Sequence, residues 1–333
     1  MLNIGKLESD MLKSLIFERI SFRNDDVKVR PGIGEDCAVV GYGDYDCVMS
    51  TDPITSSVSD IGRLSIHITC NDIASNGVQP LGIMLAVMLP VGTTEDDVKT
   101  IMGQAADTAA EVGVEIIGGH TEVTPAVNQP VIVSTAIGKA LSGTSQSGND
   151  IEPGDVIMVT KAVGLEGTGI IASDMAEELQ GVLTEDELKR AVSFLDLVSV
   201  VKEGVVAGKV GTHGMHDITE GGILGAIWEM CQIAGLGAEI IEADIPIREE
   251  TRKVSEHFGI DPLRLISSGA MLIIVPKDKT GEIKKAMAEA GVDISEVGTI
   301  KEADFGVKLK SGGNLKMVEP PGTDELYVAL SKK

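Results

Sequence analysis

The chain has 333 residues, enough for roughly two ordinary domains and a substantial core. Its 28 Lys and Arg face 51 Asp and Glu, a net charge of −23, and a field of that sign repels phosphate backbones and anionic lipid surfaces, which argues against nucleic-acid and membrane-surface partners. Aromatic residues are only 3% of the chain, too few for stacking on bases.

The most apolar run, Ile83 to Leu89, is far short of the ~20 residues of a spanning helix, and Met1 to Ile20 carries charges where a signal peptide is apolar. Cys37, Cys47, Cys70 and Cys231 form no C-x-x-C pair and no zinc spacing. The expectation is a cytoplasmic protein with reduced thiols.

From residue 26 to 140, short β-branched runs alternate with helical patterns, as in a mixed α/β domain. Val39-Val40 and Cys47 to Met49 read as strands around a Gly41-Tyr42-Gly43-Asp44 turn. Asp60 to Gly77 reads as a helix, and Ile83 to Leu89 as a buried strand closed by Pro90. Thr94 to Asp97 resembles a capping start for a helix that ends at Gly113, where glycine takes the left-handed cap. Strands follow at Val114 to Ile117 and Val131 to Ile137.

Leu141 to Asp150, rich in Gly, Ser, Asn and Asp, divides the chain into expected domains 1–148 and 149–333. The second domain offers strands at Val156 to Thr160, Ala238 to Ile241, Met271 to Val275 and Val307 to Leu309. Helices are expected after the Thr184-x-x-Glu187 box, over Thr219 to Ala234, and from Lys279 to Ala290.

Acids recur at positions that suit ligands. Gly32-Ile33-Gly34-Glu35-Asp36 leads into a strand, where glycines admit a close ligand and the acid can hold a cation, although turn chemistry explains the same residues. Asp52 follows a strand, at the kind of end where ligands bind in α/β sheets. On the Asp60 to Gly77 helix, Ile61, Leu64, Ile68, Asn71 and Asp72 share one face. Asp72 therefore either follows that stripe inside, where it needs a partner, or emerges with it at the helix end.

Gly118-Gly119-His120-Thr121-Glu122 reads as a strand end opening into a loop that could approach a phosphate, with Glu122 a further acid. If these acids converge they repel one another without a cation, and Mg²⁺ fits hard oxygen ligands and a polyphosphate. A zinc site is not favoured, since the needed Cys/His set is absent. Gly164 to Gly169 and Asp217 to Gly222 each open a helix and could hold an anion or simply cap it. His213 and His216 flank the second and are read as loop hydrogen-bonding residues. No P-loop and no dinucleotide fingerprint is present.

The order Gly32-x-Gly34-Glu35-Asp36, Ser50-Thr51-Asp52, Asn71-Asp72-Ile73-Ala74-x-x-Gly77, Gly118-Gly119-His120-Thr121-Glu122, Gly164-x-x-Gly167-Thr168 and Asp217-Ile218-Thr219-Glu220-Gly221-Gly222 resembles the aminoimidazole ribonucleotide synthetase-related superfamily. With Gly5-Lys6-Leu7 and the GGHTEVTP run, it is most similar to the HypE-like hydrogenase-maturation branch. The resemblance implies a two-domain PurM-like α/β (α+β) fold and a homodimer whose first domains pair through their strands.

It also implies an ATP-dependent phosphoryl-transfer enzyme. Asp52 and Asp72 would be catalytic, and Mg²⁺ would be held by Asp36, Asp52, Asp72 and Glu122. ATP contacts would come from Gly32, Gly34, Asp36, Asn71, Gly118, Gly119, Thr121, Gly167, Thr168, Asp217, Gly221 and Gly222. His120 departs from the acid carried by other branches at that position. HypE proper modifies a terminal cysteine, whereas this chain ends Leu330-Ser331-Lys332-Lys333 and its last cysteine is Cys231. The expected acceptor is thus a separate small molecule or protein, hydrogenase maturation proteins included. The alternatives are a small-molecule kinase resembling thiamine-monophosphate kinase and a non-catalytic ATP-binding scaffold.

Overall fold

A computed structural model describes residues 7, 9–55, 60–146, 148 and 150–332; Gly5 and Lys6 lie outside them. After a short helical stretch opening with α1 (Ser9–Met11), the chain forms β1 (Val27–Val29), β2 (Ala38–Tyr42) and β3 (Tyr45–Ile54). The expected hairpin turns at Gly43 (φ 70°), but β3 runs past Met49 to Ile54, so Asp52 is a strand residue. β2 stops opposite Met49. The last part of β3 therefore has a neighbour on one side only, which suits Pro53, a residue with no N–H to give.

α2 (Ile61–Ser75) is buried along nearly its whole length. β4 (Pro80–Leu89) follows, then α3 (Glu95–Val112), which has the full capping box between Thr94 and Asp97 and a left-handed Gly113 at its end. β5 (Glu115–Val123) and β6 (Val131–Leu141) complete a six-stranded sheet of order β1-β2-β3-β6-β4-β5. All its pairs are antiparallel except β4 with β5, and β5 is an edge.

The second sheet takes β7 (Val156–Thr160), β8 (Gly214–Asp217), β9 (Gly237–Ile241), β10 (Met271–Val275), β11 (Ile294–Lys301), β12 (Val307–Ser311) and β13 (Asn314–Met317) in the order β13-β12-β9-β11-β7-β10-β8. Its helices are α4 (Leu165–Asp174), α5 (Glu185–Ser193), α6 (Val201–Val210), α7 (Gly222–Ala234), α8 (Glu249–Phe258), α9 (Thr280–Glu289) and α10 (Glu325–Leu330). Thr184 and Glu187 form the expected box before α5. The change of sheet falls between Leu141 and Val156, around the boundary placed at 148/149; residues 147 and 149 lie outside the described set.

The two sheets share one apolar core, in which Ile66, Ile73 and Leu85 join Val201, Met271 and Ile273. Their closest junction is α2 against α6. A Cβ at Gly204 would be driven into the Ala74 carbonyl, and one at Gly208 into the backbone of Gly77. This fixes the end of α2, which carries Asp72, against the second sheet. Among the described residues no helix is long and apolar enough to cross a membrane.

Candidate active site

Four carboxylates meet where the loop before β2, strand β3, the last turn of α2 and the end of β8 come together. They are Asp36, Asp52, Asp72 and Asp217, and all four push up the buried Cys37 thiol lying among them. Asp72 is 7% exposed, so its helix stripe does lead inside. Ser50 Oγ donates to Asp72 Oδ2 at 2.5 Å, Cys37 Sγ donates to the Asp72 carbonyl at 3.1 Å, and Ser75 Oγ donates to Asp36 Oδ2 at 2.9 Å.

These few donors do not balance the acids. Burial, reinforced by Asp52, Asp217 and Asp36, holds the Asp72 carboxyl well above the usual carboxylate range. Burial also raises Asp36, against the opposing pull of His216. Asp52 Oδ2 and both oxygens of Asp217 are buried without a hydrogen-bond partner. An all-oxygen donor set of this charge fits a hard divalent cation such as Mg²⁺, which would remove the mutual repulsion.

His216, on β8, sits beside the acids: its Nδ1 is 3.2 Å from Asp36 Oδ2 and its Nε2 is 3.3 Å from Glu229 Oε2 on α7. Although burial opposes a charge there, these carboxylates hold the imidazole well above the ordinary histidine range. A cleft of about 240 Å³ opens next to the cluster, lined by Gly32, Gly34, Glu35, Asp36, His216, Glu220 and Glu229, with no lysine or arginine among its described lining residues. Burial and Asp36 push Glu35 up to about 7.

Two family models match this chain: the N-terminal domain of AIR synthase related proteins over residues 34–140, and their C-terminal domain over residues 152–310. The chain belongs to the AIR synthase related protein family. It is 27% identical to a hydrogenase expression/formation protein of Methanocaldococcus jannaschii, over 97% of this chain and 96% of that one. To the carbamoyl dehydratase HypE of Rhodobacter capsulatus it is 30% identical, over 71% and 67%.

Among solved structures, HypE in a HypE–HypF complex matches with a TM-score of 0.78 at 24% identity, covering 93% of this chain and 99% of that one. HypE in complex with ATP matches with 0.73 at 22% identity, covering 95% of each. At such identities the likeness is one of fold, and it agrees with the PurM-like architecture expected from the motifs.

Several family-motif residues stand apart from the acids or are engaged in packing. Asn71 ties α2 to the segment before α6: its amide donates to the Val198 carbonyl and accepts the Val200 N–H, each at 2.8 Å. Asn71→Ala leaves both backbone groups unpaired inside and is expected to cost about 2–4 kcal/mol by chemical denaturation.

Gly118, Gly119, Thr121 and Glu122 form no loop. β5 continues through them, past a bulge at Ile117, as an exposed edge. Gly119 is needed there at φ 149°, because a Cβ would run into the Leu85 carbonyl of β4. Asp52 is aligned through Ser134 and Leu85 with Gly119, three strands away, so a single chain does not bring Glu122 to the other acids. Glu122 instead stands 3.5 Å from His120, both exposed.

In α4, the Gly167 N–H goes to the Ile266 carbonyl and the buried Thr168 hydroxyl to Thr251, so both serve packing. The α7 N-terminus does hold a carboxylate, but from this chain: Asp324 Oδ2 accepts the Gly221 N–H at 2.7 Å, while Gly222 donates to the Thr219 carbonyl. Asp217, read with that helix start as an anion site, lies beside Asp36 and Asp72 among the buried acids. His216 escaped the sequence reading because its neighbours come from remote segments and the Gly-Met-His-Asp run of β8 carries no local pattern.

Proposed function

We propose that this protein is a Mg-ATP-dependent enzyme of the HypE-like hydrogenase-maturation kind, which activates a carbamoyl oxygen by phosphoryl transfer. The observation that carries this reading is the convergence of Asp36, Asp52, Asp72 and Asp217 beside a cleft with no lysine or arginine among its described lining residues. A triphosphate enters such a cleft only with cations. The likeness to carbamoyl dehydratases and to a HypE solved with ATP supports the choice of ligand and reaction.

Asp36, Asp52 and Asp72 would hold Mg²⁺, which when bound neutralises phosphate charge and orients the γ-phosphoryl group. The chain's own part is placement. Ser50 and Ser75 fix the carboxylates of Asp72 and Asp36, and the shared core of the two sheets keeps water from the buried side. The carboxamide oxygen of the acceptor attacks the γ-phosphorus and ADP leaves. Expulsion of phosphate then breaks the C–O bond and turns the C–N bond into C≡N as both N–H protons are given up, one of them to Glu35, whose carboxyl at about 7 suits a base near neutrality.

Cys37, Cys70 and Cys231 are buried and Cys47 is half-buried on β3, so the acceptor is a small molecule or a partner protein. A hydrogenase maturation protein is the partner class favoured by the HypE–HypF likeness. The open β5 edge, with Ile117 and Val123 exposed, is where a second copy would pair through its strand and bring its own Gly118 to Glu122.

With ATP, Mg²⁺ and an S-carbamoyl cysteine peptide, ADP and phosphate are expected in equal amounts alongside a nitrile product. A stable phosphorylated acceptor would identify a kinase instead. Nucleotide binding with no turnover on any acceptor would identify a scaffold.

A further inference from the structure

The carboxamide nitrogen of the acceptor starts the proposed reaction with two protons and ends it with none. Glu35 adjoins Asp36, one of the proposed cation ligands, which suits it to the proton released as the carboxamide oxygen attacks phosphorus. The second proton leaves later, as the C–O bond breaks, and needs an acceptor of its own. We propose that Glu220 is that acceptor, the base of the elimination step. The proposal rests on the dehydratase reading given above.

The cleft leaves one carboxylate for the task. Glu35, Asp36, Glu220 and Glu229 are the acids among its described lining residues. Asp36 and Glu229 face the two nitrogens of His216, at 3.2 and 3.3 Å. Glu220 forms no ion pair among the described residues and is held by a neutral group instead: the Tyr327 hydroxyl donates to its Oε1 at 3.1 Å. Its charge is not spent on a cation, and Oε2 is left to take a proton from the cleft.

The C-terminal helix fixes Glu220 from behind. Asp324, the N-cap of α10, accepts the Gly221 N–H at 2.7 Å, and Tyr327, three residues further on, grips the Glu220 side chain. One turn of α10 thus holds the backbone and the carboxylate of the same loop. Burial and the charge of Glu220 push the Tyr327 hydroxyl up to about 12, so it remains a donor and does not compete for the proton. Glu220 is only half-buried, which lets it pass the proton to water before the next turnover.

In the elimination, the N–H electron pair becomes the second π bond of C≡N. The C–O pair leaves on phosphate and the proton goes to Glu220 Oε2. Nothing is oxidised or reduced.

Rapid-quench kinetics of the full chain with Mg²⁺, γ-labelled ATP and an S-carbamoyl cysteine peptide test this. In the wild type, ADP, phosphate and nitrile are expected to appear together. In Glu220→Gln, which keeps an oxygen for Tyr327, ADP is expected in the first turnover while phosphate and nitrile fall behind it about 100-fold or more, the label staying on the acceptor. Glu220→Asp, with a carboxylate one methylene short, is expected to release phosphate within about 10-fold of the wild type.

The ratio of phosphate to ADP does not depend on how much of a variant is folded. A wild-type ratio in Glu220→Gln overturns the proposal, whether both products form normally or both fall together. A Glu220→Asp protein with the same low ratio as Glu220→Gln does so too. Each of these results leaves the dehydratase reading standing, because the wild type still yields ADP and nitrile. A wild type that forms no ADP, or that leaves the label on the acceptor, overturns that reading and the role of Glu220 with it.

Discussion

Asp72→Asn is expected to raise the melting temperature of the metal-free protein while lowering Mg-ATP turnover about 100-fold or more. Asp72 lies 7% exposed among Asp36, Asp52 and Asp217, and each of these makes its ionisation harder. An amide has nearly the same shape. It can still accept the Ser50 hydroxyl, and it can donate toward the neighbouring Asp52 carboxylate.

Removing one buried charge from an unbalanced set should stabilise the metal-free fold by roughly 1–3 kcal/mol. The same change takes a charged ligand from the cation, so the variant should also lose most of the extra stability that Mg²⁺ confers on the wild type. Thermal melts with chelator and with Mg²⁺ check both halves. A lower melting temperature in chelator would show that the four acids are not in conflict.

Stability of the metal-free protein is expected to fall as pH rises from about 4 to about 7, the reverse of ordinary acid denaturation. Glu166, 4% exposed with Oε2 lacking a partner, is pushed up to about 7 by burial. Asp324 is pushed up to about 6 by burial, although the Leu326, Gly221 and Ile266 N–H groups pull the other way.

For an acid raised on folding, the contribution to stability is complete while both states are protonated. It is lost as the unfolded chain ionises first and the folded one follows only near 6 to 7. Carboxylates held low, such as Asp46 against Lys28, act below this window. Mg²⁺ held at the proposed site would replace protons on Asp36 and Asp72, so denaturation curves at saturating Mg²⁺ should lose part of the slope. A flat or rising profile in chelator would contradict these assignments.

Elements with local punctuation were legible in the sequence. Both capping boxes, at Thr94 and Thr184, and the Gly43 and Gly113 turns stand where composition put them. β8 was not legible, because four residues buried on every side show no alternation. β11 was hidden by its mixed Ser-Glu-Val-Gly-Thr run, and α6 by the glycines that let it approach α2.

Asp36, Asp52 and Asp72 could be picked out because glycines, a strand and an apolar stripe each pointed at one acid. Their convergence depended on β6 aligning β3 with the sheet beneath α2, which no local pattern encodes. The Gly118 to Glu122 segment misled for a physical reason. Glycines that look made for a ligand were needed to carry β5 past a bulge and against Leu85.

Calorimetric titration of ATP with and without Mg²⁺, on wild type and on Asp52→Asn, tests the central claim most directly. Asp52 is half-buried, with Oδ2 lacking a partner, so the amide should leave the fold intact and remove a cation ligand. The account predicts Mg²⁺-dependent ATP binding by the wild type that Asp52→Asn abolishes or weakens at least about 10-fold. Binding unchanged by the substitution, or equally strong without Mg²⁺, would contradict a cation site at the four aspartates.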